Sequence, residues 1–591
     1  MALSDRPRRR PNVILFITDD QGYGDLGCHG NPLLRTPHLD GLHRASIRLT
    51  NFHVDPTCSP TRAALLTGRY SHRAGVWHTI MGRNFLPRDE VTMAQVFKAA
   101  GYRTGIFGKW HLGGNYPFRP IDRGFDQWVG HGDGGTGTAT DYWGNDKMND
   151  TYLRNGRWEA FKGFCTDIYF DEAMAFIEAD AGAPFFVYLP TNVPHGPWNL
   201  PEGWAKPYLD SGVPPARAYF FATIERADHN LGRLRRFLET RGLAQDTIVI
   251  FLTDNGTSGG CALDRNGFVT NGFNAGMRGR KGSEYDGGHR VPCFIHWPGG
   301  GLNRGRNIDR LAAHVDLMPT LIDLCGLAKP DGVAFDGTSL VPLLGDPAAT
   351  WPDRTLLVES QRIPVPKPWR QCAVMTDRWR LVGGKELYDM TADPGQRRDV
   401  AGDHADVVER LRGFYEQTWP GLSRRDGEFA RPIIGSDRQA VTWLVGHDWM
   451  PTQGGNPWDQ RGHILPGLVS NGFWPVEIAR DGTYEFTLRR WPQEVDAPIT
   501  APLPPQTEGD LTAGGPAGPR PVRMGPGTAI RATRARLKVG DHDQAKAIPA
   551  GATAVAFAVE LKAGPTRVET WFDDPSSGQS RGAYYVYARR V

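Results

Sequence analysis

The 591-residue chain is 40% hydrophobic and 23% charged, the balance of a soluble globular protein long enough for two or more domains. No apolar run reaches the ~18 residues of a membrane span, and 68 basic against 65 acidic residues, net +3, give no general pull toward nucleic acid or an anionic membrane. Seven scattered cysteines, an odd number, argue against a disulfide framework and predict a reducing, cytoplasmic setting. The opening "MALSDRPRRRPNVILF" shows no signal-peptide apolar region, and Arg6, Arg8, Arg9 and Arg10 read as a solvated tail.

Along the chain, strand-length apolar runs alternate with helical patterns. The runs are "NVILFI" (12–17), "TGIFG" (104–108), "FFVYLP" (185–190), "TIVIFLT" (247–253) and "PCFIHW" (292–297). Between them, Thr92 caps a helix with Met93, Val96, Phe97 and Ala100 on one face and Gly101 as its stop. A second helix covers 217–241, where Phe220, Phe221, Ile224, Ala227, Leu231, Leu234 and Leu238 keep helical spacing up to Gly242. The pattern predicts an α/β domain: a large, mostly parallel sheet sandwiched by helices. After about residue 425 the texture changes to alternating aromatic segments, "TYEFTLRRW" (483–491), "AVAFAVEL" (554–561), "RVETWFDD" (567–574) and "AYYVYARR" (583–590). These predict antiparallel strands. The expected division is an α/β catalytic domain over 1–425 and a smaller β-rich, sandwich-like domain over 426–591, with the Pro/Gly-rich stretch 496–527 as a long surface loop.

The functional signal stands at the strand ends. "NVILFIT" ends in Asp19-Asp20, "GIFG" in Lys109-Trp110-His111, "FFVYLPTNVP" in His195 and "TIVIFLT" in Asp254-Asn255. Ligands of open parallel sheets bind beyond the carboxyl ends of the strands, so these clusters, distant in sequence, converge on one place. Asp19, Asp20, Asp254 and Asn255 form an all-oxygen set that suits a hard cation, Ca²⁺ or Mg²⁺. Acids crowded together without a cation would repel one another, which favours bound metal over caps or turns. Arg62, Lys109, His111, His195 and Lys281 add positive or proton-carrying groups, implying an anionic substrate group and a proton to move. Together they describe hydrolysis of a sulfate or phosphate ester.

Cys58 lies in "DPTCSPTRAALLTGRY", between two prolines and ahead of a short apolar helix that Gly68 closes. A soft thiolate is an awkward companion for a hard cation. "CSPTR" resembles the Cys-x-Pro-x-Arg signature of the type I, formylglycine-dependent sulfatases of the alkaline phosphatase superfamily. "PNVILFITDDQGYGDLGCHGN", "TPHLDGL", "CSPTRAALLTGRYSHRAG", "GYRTGIFGKWHLG", "VPHGPW", "IVIFLTDNG" and "RGRKGSEYDGGHRVP" are similar to that family's blocks, in its order, over residues 11 to about 300, and "HVDLMPTLIDLCG" and "FDGTSLVPLL" carry the similarity to about 345.

The resemblance implies an alkaline-phosphatase-like fold and a Cys58 oxidised to formylglycine by a formylglycine-generating enzyme. The hydrated aldehyde would place one oxygen on the metal and attack sulfur. Carried over, Asp19, Asp20, Asp254 and Asn255 would hold one divalent metal, Ca²⁺ first, with Mg²⁺ and Mn²⁺ as alternatives. Arg62 would stabilise the diol, and Lys109 and Lys281 would bind it and the sulfate oxygens. His195, with Lys281, would protonate the leaving alcohol, and His111 would take a proton as sulfate departs.

Arg278 and Arg280 compete with Lys281 for the oxyanion role, and Asp286 stands where the family more often has Glu. Substrate choice is expected from loops; candidate lining residues are Trp77, His78, Trp110, Tyr142, Trp143, Trp198 and Arg217. Three readings stand: a sulfatase acting on aryl or carbohydrate sulfates; a relative cleaving phosphonate monoesters or phosphodiesters; and an inactive carbohydrate-binding or scaffold protein. The expected partners are a small-molecule or saccharide sulfate ester and the maturation enzyme, with no nucleic acid and no membrane. A homodimer is left open.

Overall fold

Five strands, Thr247–Thr253, Asn12–Asp19, Phe185–Pro194, Arg103–Gly108 and Gln127–Gly130, lie side by side and parallel at the centre of a ten-stranded sheet. The computed structural model describes residues 10–180, 182–346, 348–506, 513–515, 518–519 and 524–591. Arg6, Arg8 and Arg9 of the expected tail lie outside the described residues. The central strand Asn12–Asp19 is buried on both faces: Val13, Leu15 and Ile17 point into one apolar core, Ile14 and Phe16 into the other. This two-sided burial is why the run reads as continuously apolar. The helices Met93–Ala99, with its Thr92–Gln95 capping box, and Pro215–Thr240 cover opposite faces, contributing Phe97 to the first core and Phe220 and Leu231 to the second.

Cys293–His296, expected in the parallel set, runs antiparallel, with Cys293 beside Leu252. After Thr253 the chain stays at the carboxyl end of the sheet through residues 254–292 and re-enters from that end, which forces the reversed direction. Residues 356–389 form a separate four-stranded antiparallel sheet, backed by the helix Ala405–Leu422, that the sequence reading had not separated from the α/β domain. Its strands are only four residues long, too short for a clear periodic signal.

Beyond it, two largely antiparallel sheets share one core. One contains Asn471–Ile478, Gly564–Asp574, Arg534–Val539 and His542–Ala547; the other holds Thr442–Val445, Tyr585–Arg590, Gly482–Arg489 and Val555–Leu561. Their core includes Trp474, Trp491, Phe486, Phe557 and Tyr484. Of the stretch 496–527 expected as a surface loop, 507–512, 516–517 and 520–523 lie outside the described residues. Its strand Ala513–Gly515 pairs with Leu200–Pro201 of the α/β domain, so this part reaches back across the molecule.

Candidate active site

The helix Cys58–Thr67 is buried along its whole length, and Gly68, at φ 66°, ends it in the left-handed region that side chains disfavour. Cys58 is the first helical residue, where backbone N–H groups are unused by the helix and favour negative charge. Its sulfur and carboxylate oxygens of Asp19 and Asp254 lie within 4.8 Å of one another. Arg62, one turn along, donates to Asp254 Oδ2 and to the Lys109 carbonyl, both at 2.8 Å. Lys109 Nζ donates to Asp19 Oδ2 at 2.8 Å.

Asp20, directly after its strand, sits at φ 73° and His111 at φ 63°, left-handed backbone that persists only where surrounding structure enforces it. The Asp20 amide donates to Asp254 Oδ1 at 3.0 Å, and its Oδ1 accepts from Asn255 Nδ2 at 3.0 Å and Lys281 Nζ at 2.6 Å. Of the three competing cations, only Lys281 pairs with the acids at the strand ends. Arg278 bonds the Tyr388 hydroxyl and covers the Tyr285 ring, and Arg280 bonds the Cys261 carbonyl. Asp286 engages Arg380 Nε at 3.1 Å, joining this loop to the four-stranded sheet.

Burial alone would push Asp19 up, but Lys109, His195, Arg62 and Lys281 outweigh it and hold the carboxyl well below the usual range. Asp254 goes the other way, pushed well above it by burial and by the charge of Asp19. Asp19 Oδ1 and Asn255 Oδ1 are buried with no hydrogen-bond partner among the described residues. Orphaned hard oxygens beside an acid pushed toward protonation are what a divalent, oxygen-seeking cation would satisfy. The residues fit such an ion.

Two histidines present defined nitrogens. His111 Nε2 lies 2.9 Å from the Thr79 carbonyl, which can only accept, so Nε2 carries the proton; Nδ1 is buried without a partner. Burial and Lys109 push its pKa well down, so the ring is neutral and Nδ1 offers a lone pair. His195 Nδ1 donates to the Gly196 carbonyl at 2.6 Å, which leaves Nε2, 3.7 Å from Asp20 Oδ2, to exchange protons. Desolvation lowers the His195 pKa against the pull of Asp20. The His195 side chain is 38% exposed, against 2% for Lys109, so the site opens on this side.

Lys147 was not singled out by sequence. It is buried at φ 92° and donates to the carbonyls of Asn192 (3.0 Å) and His195, fixing the turn that carries His195. No strand end or spacing marks it. Among the expected lining residues, Trp77, Trp110 and Trp143 are core: their rings are nearly wholly buried, and the first two donate to the carbonyls of Ile363 and Phe118. Their size favours packing over solvent, and no neighbouring residue marks them as lining. Tyr142 faces an interdomain cavity of about 720 Å³, and Arg217 is paired with Asn271. Trp198, held by the Pro194 carbonyl, stays beside His195. His78 is buried and near His111.

A family model described as "Sulfatase" matches residues 11–327, more than half of the chain. The protein belongs to the sulfatase family. A second model, "N-sulphoglucosamine sulphohydrolase, C-terminal", matches residues 280–417. Human N-acetylgalactosamine-6-sulfatase is 33% identical over 359 residues, 56% of this chain and 66% of its own, just under two thirds. Human arylsulfatase A is 36% identical over 369 residues, 57% of this chain and 68% of its own. Among solved structures, Ps i-CgsB in complex with k-i-k-neocarrahexaose superposes with a TM-score of 0.61 at 25% identity, covering 72% of this chain and 95% of that one. The sulfatase fold thus accounts for the mostly parallel sheet, its helices and the strand-end site.

Proposed function

We propose that this chain hydrolyses a sulfate monoester, of an aryl alcohol or a saccharide, through a formylglycine derived from Cys58 and one divalent metal, Ca²⁺ before Mg²⁺ or Mn²⁺. The observation that carries the reading is the buried meeting of the Cys58 sulfur, Asp19 and Asp254 at the mouth of a helix, with two orphaned oxygens beside them. Asp19, Asp20, Asp254 and Asn255 would hold the metal, which supplies Lewis acidity and lowers the cost of negative charge at the reacting oxygens. The hydrated aldehyde supplies what a serine cannot: a second hydroxyl whose electrons can later expel sulfate.

The chain's own groups do the rest. Arg62 donates to Asp254 Oδ2 and braces the Lys109 carbonyl. Lys109 and Lys281, whose charge Asp19 and Asp20 secure against burial, bind the three sulfate oxygens. His195 Nε2, with Lys281, gives a proton to the leaving alcohol, and Lys147 holds the His195 backbone in place. His111 Nδ1 takes the proton released as sulfate leaves. The exposed His195 side would admit the alcohol portion, with Trp198 beside it. The name of human N-acetylgalactosamine-6-sulfatase and the neocarrahexaose complex of the solved structure support a saccharide sulfate. We place the catalytic domain at 1–425 and the sandwich at 426–591. Seven cysteines without a disulfide among them support a reducing, cytoplasmic setting.

The test is the mass of the tryptic peptide "LTNFHVDPTCSPTR", residues 49–62, from a host able to oxidise such cysteines. A species lighter by conversion of CH₂SH to CHO supports the reading; an unmodified thiol in active enzyme refutes it. Comparing kcat/KM for an aryl sulfate and an aryl phosphonate then separates sulfatase from phosphonate hydrolase.

A further inference from the structure

The turn Gly446–Asp448 belongs to the C-terminal sandwich and lies beyond both family matches, which end at residues 327 and 417. It is nevertheless buried against the active site. The His447 ring sits 6.4 Å from the ring of His111, and its Nδ1 is 2.5 Å from Asp448 Oδ1. Asp133, which follows the strand Gln127–Gly130, closes the group: donor atoms of Asp133, His447 and Asp448 all lie within 4.8 Å of one another. Asn84 Nδ2 anchors Asp133 at 2.7 Å. The turn also acts through its backbone. Met81 N donates to the His447 carbonyl at 3.0 Å, which fixes the loop whose Thr79 carbonyl receives the His111 Nε2 proton. Gly82, at φ 64°, leaves room for the Asp448 carbonyl, which a Cβ there would approach to 3.3 Å. Asn456 clamps the turn by donating to the carbonyls of Gly446, His447 and Trp449.

We propose that the sandwich domain is a working part of the active site, its Gly446–Asp448 turn fixing the position of His111 and the nitrogen that ring leaves free. His447 and Asp448 are positioning residues, acting through His111. The proposal rests on the reading of His111 as the proton acceptor. The groups facing His111 are Lys109 from its own segment, His78 from the loop 77–83, Asp133, and the His447–Asp448 pair. Although burial opposes it, Asp448 and Asp133 raise the His447 pKa and favour its cationic form; burial first, then Lys109 and that cation, push the His111 pKa down. Asp133 and the hydrogen bond to the Thr79 carbonyl pull the other way.

The test uses the full chain with histidine labelled at ring ¹³Cε1, the His111 resonance being the one lost in His111→Asn. In the wild type it stays neutral through the working pH range. In His447→Gln and Asp448→Asn its titration moves to higher pH, because a repelling cation is lost. With an aryl sulfate, kcat in both variants falls ~10-fold to 100-fold, KM stays within about twofold, and the acid limb of kcat shifts to higher pH. His447→Lys, which keeps the cation, restores the limb. A His111 resonance and pH limb unchanged in both folded variants would overturn the proposal. A wild type inactive on sulfate esters would instead remove the reading of His111, while the resonance still reports whether the turn controls its ring. Should one variant fail to fold, the other carries the test.

Discussion

At the carboxyl edge of the parallel sheet, Asp19, Arg62, Lys109 and Asp254 are each at most 2% exposed and pair with one another, whereas Arg534–Asp573, Arg536–Asp543 and Arg589–Glu485 lie across the surface of the sandwich. Exposed pairs contribute about 0–1 kcal/mol and can be exchanged freely. Withdrawing an ion from water costs several kcal/mol unless partners compensate it. The α/β domain bears that cost most densely at the strand-end site, and bears it again as left-handed backbone at Asp20 and His111. The sandwich's stability comes instead from Trp474, Trp491 and their aromatic neighbours. Concentrated buried charge therefore separates the part of the molecule built for chemistry from the part built for shape, with His447–Asp448 as the point where the second enters the first.

The comparison can be broken most sharply at Cys58. Cys58→Ala is expected to lower turnover at least ~10⁴-fold while the melting temperature moves by only a few degrees. Turnover within tenfold of wild type would remove the nucleophile. Next, Asp19→Asn combined with Asp254→Asn is expected to abolish bound divalent metal in elemental analysis and to lower kcat/KM at least ~10³-fold. Full metal content in that variant would show that the charge is structural after all.

What could be read in advance divides along the same line. The strand-end acids, Lys109, His111 and His195 were legible because a parallel sheet delivers its strand termini to one edge, and Cys58 because two prolines and a following helix mark its turn. Lys147, Thr79 and Asp133 were not: they act through carbonyls or across long loops, and neither kind of contact leaves a period. His447 was hidden for a further reason, since it reaches the site from the β-rich domain, more than 330 positions along the chain from His111. The tryptophans misled because a large ring near a site and a large ring in a core look alike in sequence.

The sandwich side is sharpened by Trp491→Ala. Its ring packs edge-on to Trp143 at 5.7 Å and under Arg490 at 4.1 Å, so truncation should cost about 3–5 kcal/mol, read from denaturant unfolding. A cost under about 1 kcal/mol would show that this core is loosely packed. The smallest effect concerns His72, buried between Glu359 at 2.6 Å and Asp426 at 2.6 Å, which ties the α/β domain to the four-stranded sheet and to the start of the sandwich. Burial opposes its charge, yet the two carboxylates raise its pKa from 6.5 to about 9. A folded pKa above the unfolded one stabilises fully below about pH 6.5 and is lost as pH rises through about 9, roughly 2–4 kcal/mol in all. Stability should fall over that window, and His72→Gln should flatten the fall; an unchanged slope would show that the bridge is not protonated.

Cys58 is 4% exposed, on a helix with no exposed residue. Residues 51–68 on both sides of it are buried as well, so the finished fold presents none of this stretch to another protein. Under the proposed formylglycine reading, oxidation at position 58 would have to precede closure of the sheet over that helix. Synthesis would then be a race between two clocks, folding and modification, and a chain that folded first would keep its thiol and lack the proposed nucleophile. The yield of working enzyme would then depend less on how stable the protein is than on how slowly its first 70 residues close.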